Sequence, residues 1–140
     1  MSIRFEVAGE PQGKRRARFV RAGHFIKSYA DPKTVSYEVY IREMFCIAHP
    51  GFVPLEELAL SVEIMAFCSM PKSVSKKKRE RMTAGELRPA KKPEADNLAK
   101  VIMDALTGLA FRNDSQVVRL IVEKAYSERP RVEVEMRSFP

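Results

Sequence analysis

Four acidic residues and one lysine lie within residues 93–118, at spacings that a purely structural helix does not need: Glu94, Asp96, Lys100, Asp104 and Asp114. Carboxylates held close together repel one another, so several stay ionised in one site only beside a cation. Mg²⁺ prefers oxygen ligands and often keeps waters that serve chemistry on phosphates. The pattern therefore indicates phosphate chemistry at a magnesium site, in which Lys100 contacts a phosphate or stabilises a departing oxyanion.

The element that positions these groups is predicted to be a helix from Asp96, as its N-cap, to about Leu106, before a stop at Gly108. On that helix Asp96, Lys100 and Asp104 are four residues apart and lie on one face, opposite an apolar face. Glu94 lies two residues before Asp96, and only a short loop separates the end of the helix from Asp114. We therefore expect Glu94 and Asp114 to fold back onto the Asp96 end and complete a carboxylate cluster.

A purely structural explanation fits the same residues. Asp96 can be an N-cap alone, Lys100 and Asp104 a surface ion pair, and 113–115 a simple turn. Spacing by itself leaves the metal site and this explanation about equally supported.

The run from Glu94 to Val117, ExDNLAKxIxDALxGxxFxxDxQV, resembles the RusA family of Holliday junction resolvases. The family pattern has two acids flanking one residue, Asn-Leu, a helical lysine, a DAL turn and an Asp loop before a Gln-Val strand. The matching residues cover about a fifth of the chain: Asp96, Asn97, Leu98, Lys100, Asp104, Ala105, Leu106, Asp114, Gln116 and Val117. The family has aspartate at the first acidic position, where this chain has Glu94, whose extra methylene shifts the carboxylate.

The resemblance implies a homodimeric, metal-dependent endonuclease that cuts four-way DNA junctions by paired symmetric nicks. Glu94, Asp96 and Asp114 are then expected to hold Mg²⁺, or Mn²⁺ in its place, with Asp104 as a fourth or outer-shell acid. A metal-bound water attacks the phosphodiester, while Lys100 stabilises charge on the phosphate and the departing oxygen. A two-fold dimer supplies two sites related by the symmetry that two matched cuts require.

The distribution of charge indicates a polyanionic partner. The net charge is +7, and residues 72–92 alone contain nine basic and two acidic residues. Residues 14–27 contain six basic residues, no acidic one, and two phenylalanines. Basic side chains beside aromatic rings suit phosphate contact together with base stacking. The expected DNA-binding residues are Lys14, Arg15, Arg16, Arg18, Lys76, Lys77, Lys78, Arg79, Lys91 and Lys92.

Period-two alternation predicts strands at 2–7, 58–68, 117–126 and 131–136, and 14–29 is predicted to form an arginine-rich hairpin or loop. Helices are predicted at 31–48, with Asp31 as N-cap, and after Ser73 or Ser75. We therefore expect a single α/β (α+β) domain over residues 1–140, a mixed sheet flanked by helices.

Other features narrow the class of protein. The N-terminus lacks a signal segment and no apolar run is long enough to span a membrane, so a soluble, cytoplasmic protein is expected. Cys46 and Cys68 lack metal-site spacing and are predicted to be buried thiols, while His24 and His49 are isolated. Two alternatives remain open: a Mg²⁺ nuclease for other branched DNA or RNA, and a non-catalytic junction-binding protein.

Overall fold

A computed structural model describes residues 2–140, in which four strands form one mixed sheet. These strands are β1 (Ser2–Ala8), β4 (Leu60–Ser69), β5 (Val117–Ser127) and β6 (Arg131–Ser138). The order across the sheet is β1-β6-β4-β5; β4 and β5 run parallel, and the other neighbours are antiparallel. With three helices, this is the predicted mixed α+β fold.

The connection between the parallel strands β4 and β5 contains α2 (Lys76–Thr83) and α3 (Ala95–Leu106). Parallel neighbours require a long crossover, because the chain must return to the end of the sheet where the first strand began before the second strand can start. Both the lysine-rich stretch and the acidic stretch of the sequence lie in this crossover. The sheet therefore fixes the place of both relative to the body of the protein.

One face of the sheet forms the core. Ile3, Phe5 and Val7 of β1 are buried and alternate with exposed neighbours, as the period of two predicts. Alternate residues of β4 and β6 are buried on the same face. The α1 helix (Pro32–Ala48) and α3 cover this face and also contact each other.

The opposite face of the sheet carries ion pairs instead of a helix layer. Arg4 is 3.0 Å from Glu135, and Arg131 is 3.1 Å from Glu133. The guanidinium of Arg131 also lies 3.9 Å from the centre of the Phe67 ring. Long charged side chains can cover apolar atoms with their stems, so this face remains compatible with water.

Two strands stand apart from the sheet. β2 (Arg18–Ala22) and β3 (Phe25–Tyr29) pair antiparallel through a turn at Gly23 and His24, and every residue in both strands is exposed. Gly23 has φ of +62°, a conformation that glycine adopts without strain. The hairpin predicted from the sequence is therefore present, and it projects from the domain.

The helix starts follow their capping residues. Asp31 accepts a hydrogen bond from the Lys33 amide at 2.9 Å, and Pro32 occupies the first position of α1. Ser75, the second of the two predicted caps, accepts a 3.2 Å bond from the Lys78 amide at the start of α2. Burial is predicted correctly for the Cys68 thiol, but Cys46 is exposed on α1. Because Phe45 points into the core, its neighbour Cys46 faces outward.

Candidate functional site

The α3 helix carries most of the acidic motif and is anchored by a wholly apolar face. The side chains buried on that face belong to Leu98, Ala99, Val101, Ile102, Met103, Ala105 and Leu106. The helix begins at Ala95, so Glu94 is the N-cap and the prediction of Asp96 in that position is wrong. Asp96 lies instead in the first turn, where the partial positive charge of the helix N-terminus favours a carboxylate.

Glu94 is exposed and held in a favourable position for an ionised acid. Its own backbone N–H and the Asn97 amide, which donates to Glu94 Oε2 at 3.0 Å, lower the pKa of Glu94 below its ordinary value. Lys92 and Lys124 act in the same direction. The Glu94 carboxylate therefore stays ionised to lower pH than a free glutamate.

Lys100 and Asp104 lie on the exposed face of α3 with Asp96, as the spacing predicts. Lys100 Nζ is 3.2 Å from Asp104 Oδ1, and Lys14 Nζ is 3.1 Å from Asp104 Oδ2. Each oxygen of Asp104 is thus paired with one lysine ammonium group. The pairing with Asp104 orients Lys100 along the helix surface. Because each oxygen of Asp104 already lies beside a lysine ammonium group, the arrangement favours the outer-shell role predicted for Asp104, and direct metal coordination stays a prediction.

Lys14, which was predicted to contact DNA, has its ammonium group paired with carboxylates of two helices. It lies within 3.1 to 3.3 Å of both carboxylate oxygens of Glu38 on α1, in addition to Asp104. Burial acts to lower the pKa of Lys14, but the hydrogen bonds to Asp104 and Glu38 outweigh it and the pKa is raised. Lys14 therefore joins α1 to α3, and its contact with DNA stays a prediction. No sequence signal identified Glu38, since its partners are remote along the chain.

A basic groove of about 750 Å³ lies between the segment 11–18 and the start of α3. The acidic residues that line it are Asp31 and Glu94, and the basic ones are Lys14, Arg15, Arg16, Arg18 and Lys92. Arg18 is also paired with Asp31 at 2.9 Å. The groove brings together positive side chains from two distant stretches of sequence next to the first acid of the motif.

Gly13 fixes the approach of these two walls, a role that was not recognised from the sequence. The Lys14 amide donates to the Asn97 carbonyl at 2.9 Å, so the two segments are in backbone contact. A Cβ at residue 13 would lie 2.9 Å from Cβ of Asn97 and 3.2 Å from Cβ of Pro93. Only glycine leaves room for this contact.

Asp114 lies at the other end of α3. It begins a single 3₁₀ turn (Asp114–Gln116), capped by hydrogen bonds of 2.9 Å from the Ser115 amide to Asn113 and from the Asn113 amide to Gln116. The Gln116 amide also donates to the carbonyls of Leu55 and Leu58. These bonds fix the turn at the beginning of β5.

The expected return of Asp114 to the Asp96 end does not occur within one chain. α3 has 12 residues and is therefore about 18 Å long. Val117 pairs with Leu60 at the start of β4, whereas Lys124, which acts on Glu94, pairs with Ala66 near its end. Across residues 2–140 no three of the His, Cys, Asp and Glu side chains lie close enough together to hold a metal. Within residues 2–140, Glu94, Asp96 and Asp114 of one chain therefore do not form the carboxylate cluster expected from the sequence.

The remaining predicted DNA-binding residues differ in how free their side chains are. Lys76, Lys77 and Lys78 are exposed on α2, but Arg79 folds back, 3.4 Å from the Pro71 carbonyl. The segment 88–91 runs along the later part of β5, where Arg88 donates to the Lys124 carbonyl at 3.0 Å and the Lys124 ammonium donates to the Lys91 carbonyl. The side chains of Lys91 and Lys92 remain exposed.

The sequence model of the family described as Endodeoxyribonuclease RusA matches residues 8–137. This chain belongs to the RusA family. It is also 40% identical over 139 residues to the uncharacterized protein YqaN of Bacillus subtilis (strain 168), with 96% of this chain and 95% of YqaN covered. In the part of this RusA chain that the structure describes, none of the helices is long and apolar enough to cross a membrane.

RusA proteins are endodeoxyribonucleases that resolve Holliday junctions, so this RusA chain is a DNA-binding phosphodiester hydrolase of recombination. RusA nucleases generally need a divalent metal and act on branched DNA junctions. The residues that carry the RusA resemblance, from Glu94 to Val117, lie at the start of α3, along the helix and in the turn before β5.

Proposed function

We propose that the protein is a Mg²⁺-dependent, homodimeric resolvase that acts inside the cell and makes paired symmetric nicks in four-way DNA junctions. The observation that carries this proposal is the basic groove, which is also lined by Glu94 at the start of α3. Arg15, Arg16 and Lys92 suit the sugar-phosphate backbone of one strand, since phosphate contacts position nucleic acid without reading its sequence. A strand bound there passes beside the acidic end of α3.

The roles of the protein's own groups follow from their positions. Lys100, oriented by Asp104 at 3.2 Å, would place positive charge beside the phosphate or the departing oxygen as charge develops there. Lys14 and Glu38 would hold Asp104 in place. Asp104 is proposed as an outer-shell residue that acts through Lys100.

Mg²⁺ is the proposed ion, with Mn²⁺ as a substitute, because carboxylates and water are the ligands that these ions prefer. Glu94, Asp96 and Asp114 are the proposed ligands, but one chain does not present them together. A bound ion would supply charge stabilisation and an activated water at the scissile phosphate.

The proposal is tested by cleavage of a labelled synthetic four-way junction and of a matched linear duplex, with Mg²⁺, with Mn²⁺ and with EDTA. Symmetric, metal-dependent nicks in the junction are expected. Flap, fork and RNA substrates are run in parallel. If one of these is cut in preference to the junction, that nucleic acid and not the four-way junction is the substrate. Binding of the junction without cleavage in either metal would contradict the nuclease assignment for this chain.

Asp96→Asn tests the site itself. The substitution keeps the shape of the side chain but removes its charge, so cleavage should be lost while junction binding is retained. Glu43→Gln is a matched control, because Glu43 is exposed on α1 and far from the acidic motif in sequence. Wild-type cleavage by Asp96→Asn would exclude Asp96 as a metal ligand.

A further inference from the structure

The β2–β3 hairpin leaves a large apolar surface in contact with water. Phe19, Phe25 and Ile26 are 71%, 73% and 72% exposed, and every other residue of the two strands is exposed as well. Each strand has five residues, so the ribbon reaches about 17 Å from its base. Contiguous exposed apolar surface on a soluble protein marks a contact with another molecule. The hairpin is therefore a candidate binding surface.

The side chains of the hairpin divide between two faces, because opposite residues of an antiparallel pair share a face and successive residues alternate. One face is formed by three cross-strand pairs: Arg18 and Tyr29, Val20 and Lys27, Ala22 and Phe25. The opposite face is formed by the two pairs between them: Phe19 and Ser28, Arg21 and Ile26. Each face thus carries both an exposed aromatic ring and an exposed cation.

This two-sided pattern argues against a regular duplex as the partner. A two-stranded ribbon that lies in the major groove turns one face to the bases and leaves the other towards solvent. Such a ribbon needs rings and cations on one face only. Here Phe25 and Lys27 occupy one face, while Phe19 and Arg21 occupy the other. The ribbon therefore suits a place that has nucleic acid on both sides.

The charge of the hairpin favours nucleic acid over a second copy of the chain. The segment 18–29 contains Arg18, Arg21 and Lys27 and no acidic residue. Two copies of this segment would bring like charges together, which is unfavourable. Phosphates complement these cations, and exposed rings can stack on unpaired bases of any identity. Rings and cations together therefore match DNA in which some bases are free of their pairs.

The base of the hairpin belongs to the basic groove. Arg18, the first residue of β2, lines that groove together with Glu94. Arg18 Nε lies 2.9 Å from Asp31 Oδ2, and the Arg15 amide donates to Thr34 Oγ1 at 3.0 Å. Asp31 and Thr34 are both buried at the start of α1, so these bonds fasten the base of the ribbon to the body of the protein. DNA bound along the groove therefore meets the hairpin.

We propose that the hairpin recognises the branch point by entering the open centre of a four-way junction, between two arms. Phe25 and Lys27 contact one arm, and Phe19 and Arg21 contact the other. Each ring stacks on a base freed from its pair, while each cation binds a phosphate. A linear duplex has no such opening, so at most one face of the ribbon contacts it. This inference rests on the proposed function, because it names the element that selects the junction substrate assigned there.

Alanine variants of the two rings test whether both faces are used. Phe19→Ala and Phe25→Ala should each lower affinity for a labelled four-way junction by at least about tenfold, with affinity for a matched linear duplex changed much less. Because the rings serve different arms, the loss in the double variant should be the product of the two single losses. Val53→Ala is the control, because Val53 is 76% exposed outside the hairpin. All titrations contain EDTA, so no strand is cut.

Three outcomes would overturn the proposal. A loss of affinity in only one single variant would place only one face of the ribbon on DNA. Equal losses for junction and duplex would remove the hairpin as the source of selectivity. Altered sedimentation of the double variant with unchanged junction affinity would make the hairpin a contact between copies of the chain. Thermal unfolding is measured alongside and should be unchanged in every variant, since both rings lie outside the core.

Fluorescence of 2-aminopurine, which increases when this base leaves its stack in DNA, reports the opening itself. Wild-type protein in EDTA should raise the fluorescence of a 2-aminopurine at the branch point, but not of one in the middle of an arm. The double variant should raise neither. An equal rise with wild type and double variant would refute a role of the hairpin in freeing bases.

These readings separate the inference from the proposed function. Neither the titrations nor the fluorescence requires cleavage or a metal. Failure of wild-type protein to cut any junction would refute the proposed function, while Phe19→Ala and Phe25→Ala would still decide whether the hairpin binds the branch point. Cleavage confined to junctions, with junction affinity unaffected by either substitution, would refute the inference alone.

Discussion

The Lys14 ammonium lies 3.1 Å from Asp104 Oδ2, which connects the segment after β1 to the exposed face of α3. The other oxygen of Asp104 is held by Lys100, and Lys14 is also bound to Glu38. Both Lys14 and Asp104 are only about one-quarter exposed, at 27% and 25% of their side chains, so this network is partly shielded from solvent. Lys14 of the basic groove and Lys100 of the acidic motif therefore contact the same carboxylate, that of Asp104.

Asp104→Asn should weaken catalysis more than binding. The substitution removes the charge that orients Lys100, and an ion pair of this exposure contributes about 1 kcal/mol, which corresponds to roughly fivefold in rate. Single-turnover cleavage should fall by about this factor, with junction affinity changed by less than about twofold. The Asp104→Glu variant should recover part of the rate. An equal loss of affinity in both variants would show that the network only supports the groove.

Asn97→Ala should raise the pKa of Glu94. In the wild type the hydrogen bond from the Asn97 amide favours the ionised carboxylate of Glu94. Its removal therefore moves the pKa of Glu94 back towards the ordinary value of glutamate. Because the folded-state pKa is lowered, the associated stability is present above the unfolded pKa and lost as pH falls through the folded one. The acidic limb of Mn²⁺ binding should therefore shift to higher pH in the variant.

Carbon-13 NMR of the Glu94 carboxyl group measures this change directly. Ser75→Ala, which removes a polar cap on α2, is the control and should leave the titration unchanged. A Glu94 titration that is identical in wild type and Asn97→Ala would remove the amide as a cause of the lowered pKa.

Replacement of Lys76, Lys77 and Lys78 by alanine should weaken binding to junction and duplex alike. Each lysine that neutralises a phosphate contributes about 0.9 to the slope of log affinity against log salt, so the slope should fall by up to about 2.7. Titration of labelled DNA at several salt concentrations provides the measurement. Arg129→Ala is the comparison, because Arg129 is already paired with Glu6 at 2.8 Å. An unchanged slope in the triple variant would exclude α2 from the DNA surface.

Phe25→Ala should reduce affinity for the junction while leaving thermal stability unchanged. The Phe25 ring is 73% exposed on the projecting hairpin, so it contributes little to the core. Stacking on an unpaired base is worth about 1–3 kcal/mol, and a junction offers distorted bases that a linear duplex does not. Ile26→Ala, at 72% exposed on the same hairpin, controls for loss of apolar surface. Equal junction affinities for both variants and wild type would indicate a merely solvated hairpin.

Local periodicity predicted much of the fold. The apolar face of α3, its end at Leu106 and the alternating strands follow from repeats of 3.6 and two residues, which depend only on near neighbours. The predicted N-cap of α3, Asp96, lies two residues after the observed one, Glu94. Both residues are polar and lie near the helix start, so the sequence did not distinguish them. Glu94 makes no side-chain capping bond, whereas Asp96 Oδ1 accepts a 3.0 Å hydrogen bond from the Asn97 backbone N–H inside the first turn.

The positions of Asp114 and Lys14 could not be predicted in this way. Short sequence separation suggested that Asp114 returns to the start of α3, but the parallel register of β4 and β5 holds it at the other end. Lys14 lay in a basic run, yet its partners Glu38 and Asp104 come from two different helices. Contacts between elements that are distant along the chain cannot be predicted from the spacing of neighbouring residues.

The place of β6 within the sheet determines how much of the chain must be made before the fold can form. β6 follows every other strand in the sequence, yet it lies between β1 and β4 and pairs with both. A chain that ends at the turn before Arg131 leaves β1 without a neighbour in the sheet. The charged crossover can be synthesised early, but its helices have no finished surface to pack against. During translation, the sheet of this junction-cutting enzyme can therefore be completed only once its last strand has been made.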